Sequence, residues 1–211
     1  MPFHLGDDAV SWAELLGFVT GGAGVFLTVR GSIHNFWIGI ANSAFFLVLF
    51  ATSRLWADSS LQVVFIILGF AGWWEWLHGG QNRTALEVGR ASRQALAVCA
   101  LFVVVSTWGL TDLLRHVHDV APFWDALTTS LSLAGQYLLN TKKIENWAFW
   151  MAADVVYIPL YFTKQLDLTG LVYILFLALC VAGLQAWRRA YRDASRVQSL
   201  SNVYRFPVEA R

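Results

Sequence analysis

Asp154 lies in the middle of an otherwise apolar stretch, residues 146–163, and it is in line with aromatic rings. Trp147, Trp150, Asp154, Tyr157, Tyr161 and Lys164 follow one another at steps of 3, 4, 3, 4 and 3. On a helix that spacing makes one face. A carboxylate in a lipid-buried helix is expensive, so it faces the bundle interior and marks a pathway for substrate or ion. Flat rings, phenol hydroxyls and one acid on a single stripe describe a binding surface rather than bond-making chemistry.

Three further stripes carry the same groups. Ser132, Gln136 and Asn140 are four apart; Gln62, Gly69, Trp73 and Trp76 are stepped by 7, 4 and 3; Asn35 and Asn42 are seven apart. A single amide inside a span serves equally well as interhelical glue, at about 0.6 kcal/mol. The group as a whole, taken with Asp154 and the Trp and Tyr rings, points to a site. Trp and Tyr faces suit a planar or cationic ring, and amides with a carboxylate suit hydroxyls and a carboxamide. No Lys or Arg falls in the interior of any span, and a phosphate would want such partners. The expected solute is therefore neutral or cationic, ring-bearing and hydroxylated, a nucleoside or vitamin rather than a nucleotide.

The elements that position these residues are membrane spans. The chain has 211 residues, 57% hydrophobic and only 14% charged, with mean hydropathy +0.52. A soluble domain carries about a quarter charged residues. Apolar stretches near the roughly 20 residues a span needs predict seven spans, about 11–29, 33–53, 60–77, 95–112, 122–140, 145–163 and 168–187. Residues 1–10 do not read as a cleaved signal peptide. A net charge of +1 gives no case for nucleic-acid binding. Cys99 and Cys180 fall inside spans as small hydrophobes, without metal or redox spacing.

The charges orient the spans. One side receives Arg30, then Arg83, Arg90 and Arg93, then Lys142 and Lys143, then the six arginines from Arg188 to Arg211; the other receives Arg54, Arg115 and Lys164. Basic residues stay cytoplasmic, so the N-terminus is expected outside and the C-terminus inside.

The chain also matches itself in one constant register. That register superposes Ala23 on Ala134, Gly24 on Gly135, Ile33 on Ile144, Asn35 on Asn146, Gly72 on Gly183 and Trp76 on Trp187. Spans 1 to 3 then map onto spans 5 to 7, with span 4 as the odd linker. This predicts an all-α membrane protein of 3+1+3 parallel-repeat plan. Residues 1–94 hold the first repeat and a cytoplasmic loop, 95–112 the linker, 122–187 the second repeat, and 188–211 a basic tail suited to anionic lipid. Parallel repeats are a transporter architecture with the site near the midplane.

Asp154 is the one deeply placed acid, and no relay of Asp, Glu or His accompanies it, which argues for downhill transport. His116, His118, Asp112 and Asp119 read better as a short solvated loop than as a metal site. No nucleophile and base pair, cofactor motif or metal-ligand set is present, so no enzyme is expected.

Gln62 to Trp76, with Gly-Trp-Trp-Glu-Trp at 72–76, resembles the third-helix motif of PnuC-type nicotinamide riboside transporters. Asp125 to Trp187 resembles the rest, through Gln136, Lys142-Lys143, Glu145-Asn146-Trp147, Trp150, Asp154 and Tyr157. The resemblance implies a seven-helix, SWEET-like 3+1+3 fold, often a homotrimer. It also implies facilitated diffusion of unphosphorylated nicotinamide riboside across the bacterial inner membrane, with trapping by phosphorylation inside. By matching position it implies a site lined by Trp73, Trp76, Gln136, Asn146, Trp150, Asp154 and Tyr157; the stripes add Asn42, Asn140 and Tyr161. Related branches carry thiamine or riboflavin. A sugar carrier of the same architecture and a membrane sensor that binds without moving solute are the competing readings.

Overall fold

The computed structural model describes residues 3–5, 8–10, 12–52, 56–117, 121–163 and 167–204. Lys164, Arg54, His118, Asp119, Arg205 and Arg211 lie outside the described residues, as does the side chain of Glu14.

A short antiparallel hairpin, β1 (Phe3–Leu5) and β2 (Asp8–Val10), precedes the helices. It was not expected from the sequence. Among the described residues seven α-helices follow: α1 (Trp12–Val29), α2 (His34–Thr52), α3 (Trp56–His78), α4 (Arg93–His116), α5 (Pro122–Asn140), α6 (Asn146–Thr163) and α7 (Asp167–Tyr204). Their positions agree with the expected spans to within a few residues, except that α7 continues beyond position 187 as far as Tyr204. Arg188, Arg189, Arg192 and Arg196 of the basic tail thus ride on a helix.

Two of the helix ends have a clear local cause. Ser92 caps α4 by accepting a hydrogen bond from Ala95 N, at 3.1 Å, as the N-cap position favours. Pro122 opens α5, where its missing N–H deprives the helix of nothing.

By length and apolar composition, His34–Thr52, Ser59–His78, Arg93–His116 and Asp167–Val197 can cross a membrane, and Leu15–Val29 is a shorter apolar helix. Helices α5 and α6 are more polar for a structural reason. Thr128, Ser130, Ser132 and Asn140 of α5 are buried, as are Asn146 and Asp154 of α6. The buried face of each helix meets protein rather than lipid and can hold polar groups that find partners there. The outward faces are apolar: Val98, Leu101, Val105 and Trp108 of α4 are all more than 60% exposed. An exposed apolar surface of that kind belongs against hydrocarbon.

Helix α1 packs on α2 and α7; α3 on α2 and α5; α6 on α5 and α7; and α4 on α5. Two groups of three, α1–α3 and α5–α7, therefore meet along an α1–α7 seam and an α3–α5 seam. Near the ends of these seams lies a buried aromatic layer. It holds Phe36, Trp76, Trp147 and Trp187, with Leu139 and Ile144.

Candidate functional site

A cavity of about 310 Å³ lies between the two groups of three helices, within the size range of small-molecule sites. Helix α1 approaches it with Gly21, Gly24, Val25 and Thr28; α2 with Asn35, Phe36 and Ser43; α3 with Phe65 and Gly69. From the other group come Ser132, Gln136 and Leu139 of α5, Trp147, Trp150, Asp154 and Tyr157 of α6, and Tyr173, Phe176 and Cys180 of α7. Helix α4 contributes nothing to the wall. Gly69 permits close approach: a Cβ there would come within 2.7 Å of the Ile40 side chain.

Of the stripe on α6, Trp147, Trp150, Asp154 and Tyr157 reach the wall. Asp154 is 5% exposed and accepts from the Cys180 thiol at 3.5 Å. A thiol is a weak donor, so the carboxylate keeps most of its accepting capacity for a ligand. Tyr157 lies against Tyr173, with centroids 4.7 Å apart, and both stack with Tyr161 at 5.6 and 5.1 Å. Tyr161 thus backs the cluster without lining the cavity.

The remaining expected residues have other places. Gln136 is on the wall and donates to Asn140 Oδ1 at 2.8 Å. Asn140 in turn donates to Leu68 O at 2.8 Å, so it ties α5 to α3 and orients Gln136 from behind. Asn42 donates to Thr20 Oγ1 and joins α2 to α1. Asn146 is fully buried and donates to Lys143 O at 2.6 Å, closing the turn before α6. Trp73 leans on Trp37, ring centroids 5.2 Å apart. Trp76 is in the buried layer, its Nε1 donating to Leu139 O at 3.0 Å. Asn42, Asn140, Asn146, Trp73 and Trp76 therefore do not line the cavity.

Two wall residues carry buried polar atoms without a hydrogen-bond partner among the described residues: Asn35 Oδ1, an acceptor, and Trp147 Nε1, a donor. Leaving such atoms unpaired costs about 1–3 kcal/mol each; neither atom is open to the cavity as it stands, so a solute would reach them only with a shift of the wall. Among the described residues lining the cavity, none is Lys, Arg or His. The arrangement can hold a planar ring by its faces, a positive charge by Asp154, and amide or hydroxyl groups by Gln136.

The α7 contribution escaped the sequence reading. Tyr173, Phe176 and Cys180 are stepped by 3 and 4, a helical face that was legible but lacks an ionisable marker like Asp154. The glycine series 17, 21 and 24 on α1 was a second overlooked signal.

The family profile described as Nicotinamide mononucleotide transporter matches residues 11–189. The nicotinamide riboside transporter PnuC of Escherichia coli (strain K12) is 24% identical, over 92% of this chain and 92% of that protein. The PnuC of Neisseria mucosa is 26% identical, over 88% of this chain and 75% of its own length. The riboflavin/roseoflavin transporter RibM of Streptomyces davaonensis is 25% identical, over 92% and 93%. A crystal structure of the vitamin B3 transporter PnuC superposes with a TM-score of 0.68 at 22% identity, covering 87% of this chain and 83% of that one. The fold is shared at that score.

Proposed function

The chain belongs to the nicotinamide mononucleotide transporter family, and on that premise we propose that it carries nicotinamide riboside across the bacterial inner membrane by facilitated diffusion. The observation that carries the reading is the cavity between the two three-helix groups. It offers rings, amides and one buried carboxylate, and no described wall residue is basic. Nicotinamide riboside is a pyridinium cation bearing a carboxamide and a ribose. Its charge pairs with Asp154, its ring stacks on Trp150 or the tyrosines, and, with a shift of the wall, its carboxamide answers the unpaired donor of Trp147 and acceptor of Asn35. The mononucleotide adds a phosphate for which the wall holds no cationic partner. Phosphorylation inside the cell would then trap the product and draw uptake forward.

Seven spans in a 3+1+3 plan give this carrier its two halves. Matching turns support the repeat. Gly31 and Lys142, which coincide in the repeat register, both take positive φ, 63° and 53°. Gly31 N donates to Thr28 O and Lys142 N to Leu139 O; Ser32 N donates to Leu27 O and Lys143 N to Leu138 O. Every one of these pairs keeps the register that places Trp76 on Trp187. The basic residues of the 30–33, 79–92 and 141–145 connections favour the cytoplasm for that end, with the N-terminus outside. A homotrimer would cover some of the apolar outer surface.

Counterflow in proteoliposomes tests the function. Vesicles loaded with unlabelled nicotinamide riboside should exchange it for labelled solute without a proton or sodium gradient, and the mononucleotide should compete poorly. Strict dependence on a gradient would defeat facilitated diffusion. Preferential exchange of riboflavin would move the assignment to the flavin branch that RibM represents. Binding without exchange would make the protein a sensor.

A further inference from the structure

The two halves meet at two seams of matching construction, and among the described residues only the α3–α5 seam is strapped. On that seam, Trp76 Nε1 donates to Leu139 O at 3.0 Å. On the α1–α7 seam, Trp187 Nε1 donates to Thr28 O, also at 3.0 Å. Trp76 and Trp187 coincide in the repeat register, as do Thr28 and Leu139. The indoles belong to the buried aromatic layer that closes the end of the bundle bearing the 30–33, 79–92 and 141–145 connections. A solute leaving the cavity at that end must separate one of the two seams.

The connection between α3 and α4 lies across the α3–α5 seam. Leu86 N donates to Trp76 O at 2.9 Å, and Lys142 Nζ donates to Leu86 O at 2.8 Å while sitting 4.3 Å over the Trp76 ring. Gly89 forms a parallel bridge with the 141–145 turn, exchanging bonds with Lys142 O and Ile144 N at 3.0 Å each. Glu145 accepts from Ala91 N at 2.8 Å and from Arg90 Nε at 3.1 Å. The counterpart of Lys142 on the other seam is Gly31, where even an added Cβ would meet nothing within 4 Å. The backbone N–H groups of Arg30, Gly31 and Ser32 bond to neighbours in sequence, Phe26 O, Thr28 O and Leu27 O.

We infer that the loop-bearing end opens along the α1–α7 seam while the α3–α5 seam, held by the 84–92 strap, stays closed and acts as the hinge. Each seam carries one indole bond, at 3.0 Å. The strap's extra bonds shift the balance, since opening α3–α5 breaks them and opening α1–α7 does not. The inference rests on the carrier reading above, and it adds which of two matching seams moves.

Spin-label distances test it. One pair is Leu77→Cys with Thr141→Cys, flanking the strapped seam. The other is Arg188→Cys with Arg30→Cys, its equivalent in the repeat register. Native Cys99 and Cys180 are buried, and a sample without added cysteines corrects for them. In lipid nanodiscs without solute, the 30/188 pair should give a distribution at least twofold wider than the 77/141 pair, or two resolved distances. Equal widths, or the wider distribution at 77/141, overturn the inference. Adding Glu145→Gln or Arg90→Gln should widen the 77/141 distribution toward that of 30/188; a width unchanged by both variants removes the strap from the explanation and overturns it too. Binding of nicotinamide riboside is read separately in the same samples, by tryptophan fluorescence. Absence of quenching counts against the solute assignment and leaves the comparison of the two seams intact.

Discussion

The indole N–H of Trp187 reaches the backbone oxygen of Thr28 at 3.0 Å, joining the last helix to the first. Trp187 also stands edge-on to Trp147, centroids 5.5 Å apart at 85°. Trp76 has the same two relations, to Leu139 O and edge-on to Phe36 at 5.0 Å and 90°. Each accepting carbonyl already receives a backbone N–H, from Gly31 or Lys142. The indole therefore takes the second lone pair and joins one half to the other without being needed to satisfy the helix end.

It follows that Trp76→Phe and Trp187→Phe each remove one hydrogen bond and leave no orphaned carbonyl. Each should cost about 0.5–1.5 kcal/mol for the bond, plus a packing loss for the smaller ring. The two indoles are themselves in contact, centroids 5.9 Å apart. The double variant should therefore depart from additivity by more than about 0.5 kcal/mol. Thermal unfolding of the four proteins in one detergent gives the cycle, and strict additivity would mean that the indoles do not act together.

Gly183 and Gly72 face the same aromatic positions in the two halves. A Cβ on Gly183 would run into the Trp147 ring, and one on Gly72 into Phe36 and the Asn140 amide. Trp147 is 1% exposed and has no room to retreat. Gly183→Ala and Gly72→Ala should each lose about 1–3 kcal/mol from overpacking, against a helix-propensity gain of at most about 1 kcal/mol. Gly109 on α4 meets nothing within 4 Å, so Gly109→Ala should be neutral or stabilising. Melting temperatures of the three variants would separate packing from propensity by sign.

Much of this was legible in sequence because lipid simplifies the code. Apolar runs give the spans, and a lone buried acid such as Asp154 points to the cavity. The Gly72/Gly183 and Trp76/Trp187 matches were readable as a register but not as contacts, because periodicity carries no information about which helix lies opposite. The same blindness explains Asn42, Asn140 and Asn146. A polar stripe looks alike whether it meets a ligand or a neighbouring helix, and here these three bond to Thr20, Leu68 and Lys143. The 84–92 strap was invisible because its backbone bonds leave no side-chain pattern and its ion pair, Arg90 with Glu145, joins residues 55 apart in sequence.

At the cavity, Asp154→Asn keeps size and shape and removes the charge. If Asp154 is the counter-ion of a pyridinium, affinity for nicotinamide riboside should fall at least tenfold, about 1.4 kcal/mol, with little change in folded yield. Affinity for a neutral analogue of the same shape should change far less. A similar loss for both solutes would assign Asp154 to packing rather than to charge recognition. Isothermal titration in detergent distinguishes the two.

Trp147→Phe makes a complementary test of the unpaired donor. Its Nε1 has no hydrogen-bond partner among the described residues, so removing it forfeits no hydrogen bond to them. The edge-on contact with Trp187 survives to some extent. Affinity for a carboxamide-bearing solute should drop about five- to tenfold, in line with about 1 kcal/mol for one hydrogen bond, while the loss of stability is confined to the void left by the smaller ring. If stability collapses and affinity holds, the indole is core and not ligand contact.

Lys142 supplies the pH test, and it lies in the connection between α5 and α6, outside the spans. Burial pushes its ammonium below the ordinary lysine value, opposed to a lesser degree by the Glu87 carboxylate. A lowered folded value means that the unfolded chain holds the proton more tightly. Stability should then rise as pH climbs from the folded value toward the unfolded one, about 10.4. Below the folded value both states are protonated and the slope vanishes. Lys142→Met should abolish this alkaline rise, and it also removes the contacts to Leu86 O and the Trp76 face. The variant should therefore be the less constrained protein at neutral pH, with a wider α3–α5 seam, yet the flatter one in its stability as the pH climbs toward about 10.4. Melting curves across that range decide it: an alkaline rise retained by Lys142→Met would place the titrating group elsewhere.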